Sequence, residues 1–254
     1  QINAAGSASD LTLIVTGTLT VGYQTVIRAN ITAGAVSDSN GAVTFGGSLA
    51  TTTGTISLGY QSTVAGSVSS TSGAISVAQN GSVGGSITST SGAITVPYQA
   101  TVAGSVSSGG AITIGQEAVI GGGITGGAGA LDIGYGARVT GAISSSSGTI
   151  KFGQGAVASA CVTSSSSASI TLGYQSTINS VCCGNGCNTA CVVNNSTYAM
   201  PPRCSGAASL DHLEALPAST SGLTCSASAV TLRACANTSC SSLLSSYTGT
   251  VNLN

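Results

Sequence analysis

Charge and aromatic rings are scarce in this chain of 254 residues. It holds five Lys plus Arg, six Asp plus Glu, one His, one Met, two Phe and no Trp. A net charge of −1 provides no basic surface to neutralise phosphates, so neither nucleic acid nor an anionic membrane is expected as a partner. No apolar run approaches bilayer length; Leu11 to Val15 reads as the start of a strand, and no membrane insertion is expected. The few ionisable groups, Arg28, Asp38, Glu117, Asp132, Arg138 and Lys151, are scattered, and the single histidine, His212, lies far along the chain. Polysaccharide cleavage needs clustered carboxylates or a positioned base, and serine without a basic partner is an ordinary hydroxyl. No enzyme, catalytic residue, cofactor or metal is therefore expected.

What is present is a repeat of about nineteen residues. It reads GTISLGYQSTVAGSVSSTS from Gly54, GAISVAQNGSVGGSITSTS from Gly73 and GAITVPYQATVAGSVSSG from Gly92. Further units start at Gly110, Gly129 and Gly148, with earlier ones near Gly17 and Val36 and a last one near Ala168. Apolar residues recur at fixed slots, such as Ile75, Val77, Val83 and Ile87, then Ile94, Val96, Val102 and Val106. Alternation by two within short pieces, divided by Gly and Ser, predicts three strands per unit wound into a three-sided parallel β-helix. In such a solenoid each unit buries its apolar residues only against its neighbours. The narrow bore is expected to admit Val and Ile and little else, and Pro97 falls at a corner.

Two columns stand out. Gly-Tyr-Gln or a relative places Tyr23, Tyr60, Tyr98, Tyr135 and Tyr174 at the first corner of every second coil, with Gln79, Gln116 and Gln154 between them. The ancestral unit is read as two coils. The rings form either a surface ridge able to stack on sugars or a neighbour, or a cover over the backbone of the adjacent corner. The outward column of the first strand runs Ser57, Ser76, Thr95, Thr113, Asp132, Lys151 and Thr171, and it sets Asp132 beside Lys151. A hydroxyl column also brings ice binding to mind, but those two charges interrupt it.

Nine cysteines, all from Cys161 onwards, and a chain that begins at Gln1 point to an exported protein in an oxidising compartment. Cys182, Cys183, Cys187 and Cys191 read as disulfide partners in preference to a zinc or iron–sulfur site. Counting four residues on from Val157 and from Ile178 puts Cys161 and Cys182 inward at the same corner of successive coils. A Cys161–Cys182 disulfide is expected there, and a second pair from Cys225, Cys235 and Cys240, with Cys225–Cys235 favoured. The domains expected are a β-helix over 1–181, a cysteine-rich linker over 182–205 and a small antiparallel β domain over 206–254. Asp211, His212 and Glu214 read as a strand edge. The last domain is too short for a complete immunoglobulin-like sandwich, so Thr248, Thr250, Val251 and Leu253 are read as a strand that pairs with a neighbouring subunit.

The Gly-x-Ile-x-Ile-Gly and Ala-x-Val-x-Gly-x-Ile rhythm of residues 17–180 resembles the bactofilins, bacterial β-helix proteins that polymerise. Bactofilins are cytoplasmic and cysteine-poor, whereas this chain is rich in cysteine. The segment Leu-Asp-His-Leu-Glu through Ala-Val-Thr-Leu-Arg-Ala-Cys-Ala-Asn-Thr-Ser-Cys, within residues 204–254, is similar to the MSHA pilus biogenesis protein MshQ and its relatives. Together they imply a secreted structural protein of the bacterial surface that forms a homopolymeric fibre, pilus-like filament or layer. Other pilus or envelope proteins are possible further partners. The second reading is an adhesin that binds glycans through the tyrosine ridge or the C-terminal domain.

Overall fold

The computed structural model describes residues 6–7, 11–38, 40–164, 169–184, 187–194, 199–204, 212–217 and 230–235. The described residues between 11 and 194 form a stack of short strands in a parallel β-solenoid of about nine turns, with about nineteen residues per coil. Side one carries Ile56–Ser57, Ile75–Ser76, Ile94–Val96, Ile112–Ile114, Leu131–Ile133, Ile150–Phe152, Ile170–Leu172 and Val192–Asn194, each in register with the next. Side two stacks Thr63–Val64, Ser82–Val83, Thr101–Val102, Val119–Ile120 and Arg138–Val139. Side three stacks Leu49–Thr51, Val68–Ser70, Ile87–Ser89, Val106–Ser108, Ile124–Gly126 and Ile143–Ser145.

Parallel strands this short cohere because like sits on like. Ile75, Ile94, Ile112, Leu131 and Ile150 form one fully buried column, and Val68, Ile87, Val106, Ile124 and Ile143 form another. Each such side chain gains roughly 1.5–3 kcal/mol by leaving water. Side two has room for smaller groups. There Ala100, Ala118, Ala137 and Ala156 are buried beside Val102, Ile120, Val139 and Ala158.

The bore is not purely apolar. Except at Gly126, the last residue of the side-three strands also points inward, giving a column of buried hydroxyls: Thr51, Ser70, Ser89, Ser108, Ser145 and Ser164. They satisfy the backbone of the third corner. Ser70 Oγ accepts from the Gly73 N–H at 2.9 Å, Ser89 from Gly92 at 3.0 Å and Ser108 from Gly110 at 2.9 Å. Ser108 donates to the Gly92 carbonyl at 2.6 Å, and Ser145 to that of Gly148 at 2.7 Å. A polar group buried in this way stays affordable only because it is bonded. At the same corner Gly54, Gly73 and Gly92 stack so closely that a Cβ on one would overlap the carbonyl of the glycine one coil below.

The two ends differ. The strand Thr12–Val21 pairs in parallel with Asn30–Asp38, with a register shift between Val15 and Thr18, and, among the described residues, with no other strand. Its inward Leu13, Val15 and Leu19 are only partly covered, and outward Ile14 is 73% exposed. At the other end, Val192–Asn194 closes side one, and Val181 bridges to Arg203, with its N–H on the Pro202 carbonyl at 2.9 Å. Beyond the solenoid, His212–Pro217 and Val230–Cys235 form an antiparallel pair. His212 and Glu214 thus lie on a strand, while Asp211 falls outside the described residues.

Candidate functional site

The first corner is built by a four-residue turn whose third residue has positive φ. Gln61, Asn80, Gln99, Glu117 and Gln175 take φ of 52–58°, and Gly136 and Gly155 fill the same place in two coils. Within each turn the fourth N–H returns to the first carbonyl, as in Ser62 to Gly59 (3.2 Å), Ala100 to Pro97 (3.3 Å) and Ala137 to Gly134 (3.2 Å). The left-handed residue then spends its N–H on the next coil: Gln61 on Gln79, Asn80 on Tyr98, Gln99 on Gln116 and Glu117 on Tyr135, all at 2.8–3.0 Å. The corner is therefore a fixed ladder, and the second residue of each turn is thrown outward. Those second residues include Tyr60, Gln79, Tyr98, Gln116, Tyr135, Gln154 and Tyr174.

Tyr23, Tyr60, Tyr135 and Tyr174 are 50–61% exposed and Tyr98 is half-buried, so a ridge exists. The Tyr60 hydroxyl accepts from Asn80 Nδ2 at 3.2 Å, one coil further on. Glu117 accepts from Gln99 Nε2 at 2.7 Å and from Gln116 Nε2 at 3.2 Å. The Gln99 bond foremost, then those from Gln116 and Tyr98, holds its carboxyl below the ordinary glutamate value.

The outward column of side one is in register from Ser57 to Thr171, with Asp132 opposite Lys151. Side three carries a second uncharged column, Ser69, Thr88, Ser107, Thr125, Ser144 and Thr163, that the sequence reading missed although its period was visible. A third runs along the second corner. Ser48, Ser67, Ser86 and Ser105 each accept from the backbone N–H one coil on, at 3.1–3.3 Å.

Of the scattered charges, Asp38 has a structural task. It is buried at the place of Leu58 one coil on, and it accepts from the N–H groups of Gly41 (2.9 Å) and Gly59 (3.2 Å) and from the Ser62 hydroxyl. It thereby pins two successive corners together. An open cavity of about 550 Å³ between residues 172–178 and 199–202 has no acid, base or cysteine in its lining.

The cysteines overturn one expectation. Cys161 bonds Cys204, Cys182 bonds Cys187 and Cys183 bonds Cys191, so no Cys161–Cys182 disulfide forms. The inward residue is Ala158, not Val157, which is in register with exposed Arg138; four residues on from Ala158 comes Val162. In the next coil a register irregularity brings Val181 opposite Val162 and sets Cys182 opposite Thr163. Cys161 and Cys182 thus occupy different rungs. Cys182, Cys183, Cys187 and Cys191 are taken up in disulfides, as expected for that cluster. Together the three bridges clamp the C-terminal end of the solenoid.

Cys235 is buried and disulfide-bonded, whereas Cys225 lies outside the described residues, as do Thr248, Thr250, Val251 and Leu253. On the antiparallel pair Arg233 meets Glu214 directly across the ladder, at 2.7 Å and 2.9 Å. A family model described as Domain of unknown function (DUF8613) matches residues 210–254, which include both of these strands. Comparison with curated proteins and with solved structures gives no match.

Proposed function

We propose that this chain is an extracellular structural protein of the bacterial surface, a non-catalytic subunit that joins copies of itself into a fibre, pilus-like filament or layer. The observation that carries this reading is the N-terminal coil. Among the described residues Thr12–Val21 pairs only with Asn30–Asp38, its Leu13, Val15 and Leu19 are partly covered, and Ile14 stands in solvent. An open strand edge over an apolar bore is a template for another strand. The opposite end is held by three disulfides, which belong to an oxidising compartment and make that end a fixed surface for a neighbour. The resemblances to bactofilins and to MshQ point in the same direction.

Electron microscopy and sedimentation test the reading. The purified protein should give regular fibres or sheets. Ile14→Lys, which adds a charge beside the open edge without touching the core, should leave folded monomers. A wild-type protein that stays monomeric at micromolar concentration would refute it.

A further inference from the structure

We infer that the tyrosine corner is a binding track for an extended, neutral polysaccharide of β-1,4-linked sugars lying parallel to the solenoid axis. This goes beyond the structural role and does not depend on assembly. Three observations converge. First, the rings are platforms. Tyr60 starts on one coil and its hydroxyl accepts from Asn80 on the next, while Tyr23, Tyr60, Tyr135 and Tyr174 each keep about half or more of their surface in solvent. Their backbone is fixed by the corner ladder, so little conformational freedom remains to be lost on binding.

Second, the spacing suits such a chain. Strands of successive coils lie about 4.8 Å apart, so tyrosines on alternate coils recur at about 9.6 Å, and five of them from Tyr23 to Tyr174 span about 38 Å. A β-1,4-linked chain turns each sugar over relative to the last and repeats every second sugar, over a length close to that two-coil pitch. The same sugar face can therefore meet ring after ring. A curved β-1,3-linked chain cannot keep that register.

Third, the groups between the rings are of the right kind. Gln79, Gln116 and Gln154 are exposed and carry amides that both donate to and accept from sugar hydroxyls. No cation stands at the second or third position of the turns from Tyr60 to Gln175, and the one charge there is the Glu117 carboxylate. That selects a neutral glycan over an anionic one.

The test uses the Ile14→Lys protein, so that a failure of assembly and a failure of binding are read separately. Titration with cellobiose, cellohexaose, chitohexaose and laminarihexaose is followed by tyrosine fluorescence and calorimetry. A hexasaccharide covers three platforms, so cellohexaose or chitohexaose should bind at least about tenfold tighter than cellobiose, with laminarihexaose no better than cellobiose. Replacing both Tyr98 and Tyr135 by Ala should remove that chain-length gain with unchanged circular dichroism. Tyr135→Phe, which keeps the ring face, should retain it. No binding of either β-1,4 hexasaccharide at millimolar concentration overturns the proposal, and so does binding that ignores chain length or survives loss of both rings.

Discussion

Gly126 and Leu131 offer a sharp test of how the bore is packed. In five other coils the corner slot holds a buried hydroxyl and the next inward slot an isoleucine: Thr51 with Ile56, Ser70 with Ile75, Ser89 with Ile94, Ser108 with Ile112 and Ser145 with Ile150. Only here is the pair glycine and leucine. A Cβ on Gly126 would overlap Leu131 Cδ1 and lie 3.2 Å from Cγ, and Leu131 is fully buried. The leucine methyl has taken the serine's space.

Gly126→Ser alone should therefore overpack the bore and cost about 1–3 kcal/mol, partly offset by the roughly 0.4–1 kcal/mol that losing a glycine removes from unfolded-state entropy. Leu131→Ile alone conserves volume, but it leaves a void beside Gly126 and should cost up to about 1.5 kcal/mol. The double variant restores the pattern of the other coils, with a hydroxyl able to donate to the Gly129 carbonyl as Ser145 does to Gly148 at 2.7 Å. That bond is worth about 1 kcal/mol. The double variant should match the wild type in stability, giving a coupling of about 2–3 kcal/mol. Urea unfolding followed by circular dichroism at constant m-value measures all four corners of the cycle. Additivity within about 0.5 kcal/mol would mean that the two side chains do not compete, and the argument would fail.

Non-reducing peptide mapping should recover a fragment that joins Cys161 to Cys204. Because that bridge closes a separation of 43 residues and Cys182–Cys187 one of 5, chain entropy puts their losses at about 4 and about 2 kcal/mol. Replacing Cys161 and Cys204 by Ser should lower the unfolding midpoint more than replacing Cys182 and Cys187; the reverse order would count against the assignment. Glu117 should titrate below the ordinary glutamate range in an NMR pH series, and Gln99→Ala should bring it up. With a depressed folded value, its stabilising effect is present above the unfolded value near ~4.3 and is lost as pH falls through the folded one. A Glu117 midpoint at or above that of an unfolded peptide would contradict the bonds drawn here.

The period, the three-sided coil and the main apolar columns could be read directly from the sequence, because in a solenoid every equivalent residue meets the same neighbours and must solve the same packing problem. Ile75, Val83 and Ile87 announce their slots by recurring as Ile94, Val102 and Val106. The spacing of the tyrosines was equally plain. Whether their rings were exposed was not, since that follows from the turn at each corner and from partners such as Asn80 on the next coil. The buried serines are not legible in the sequence because Ser looks the same inside a corner as outside it, and only its phase along the strand decides. Phase also defeated the disulfide expectation. With side chains alternating every residue, a shift of one turns an inward group outward. The inward phase begins at Ala158 and not at Val157, and the register irregularity before Cys161 sets Cys182 opposite Thr163. A repeat can be counted along the chain, but a bulge is settled only by what the neighbouring coil hydrogen-bonds, and this is why the cysteine pairing belonged to the tertiary structure.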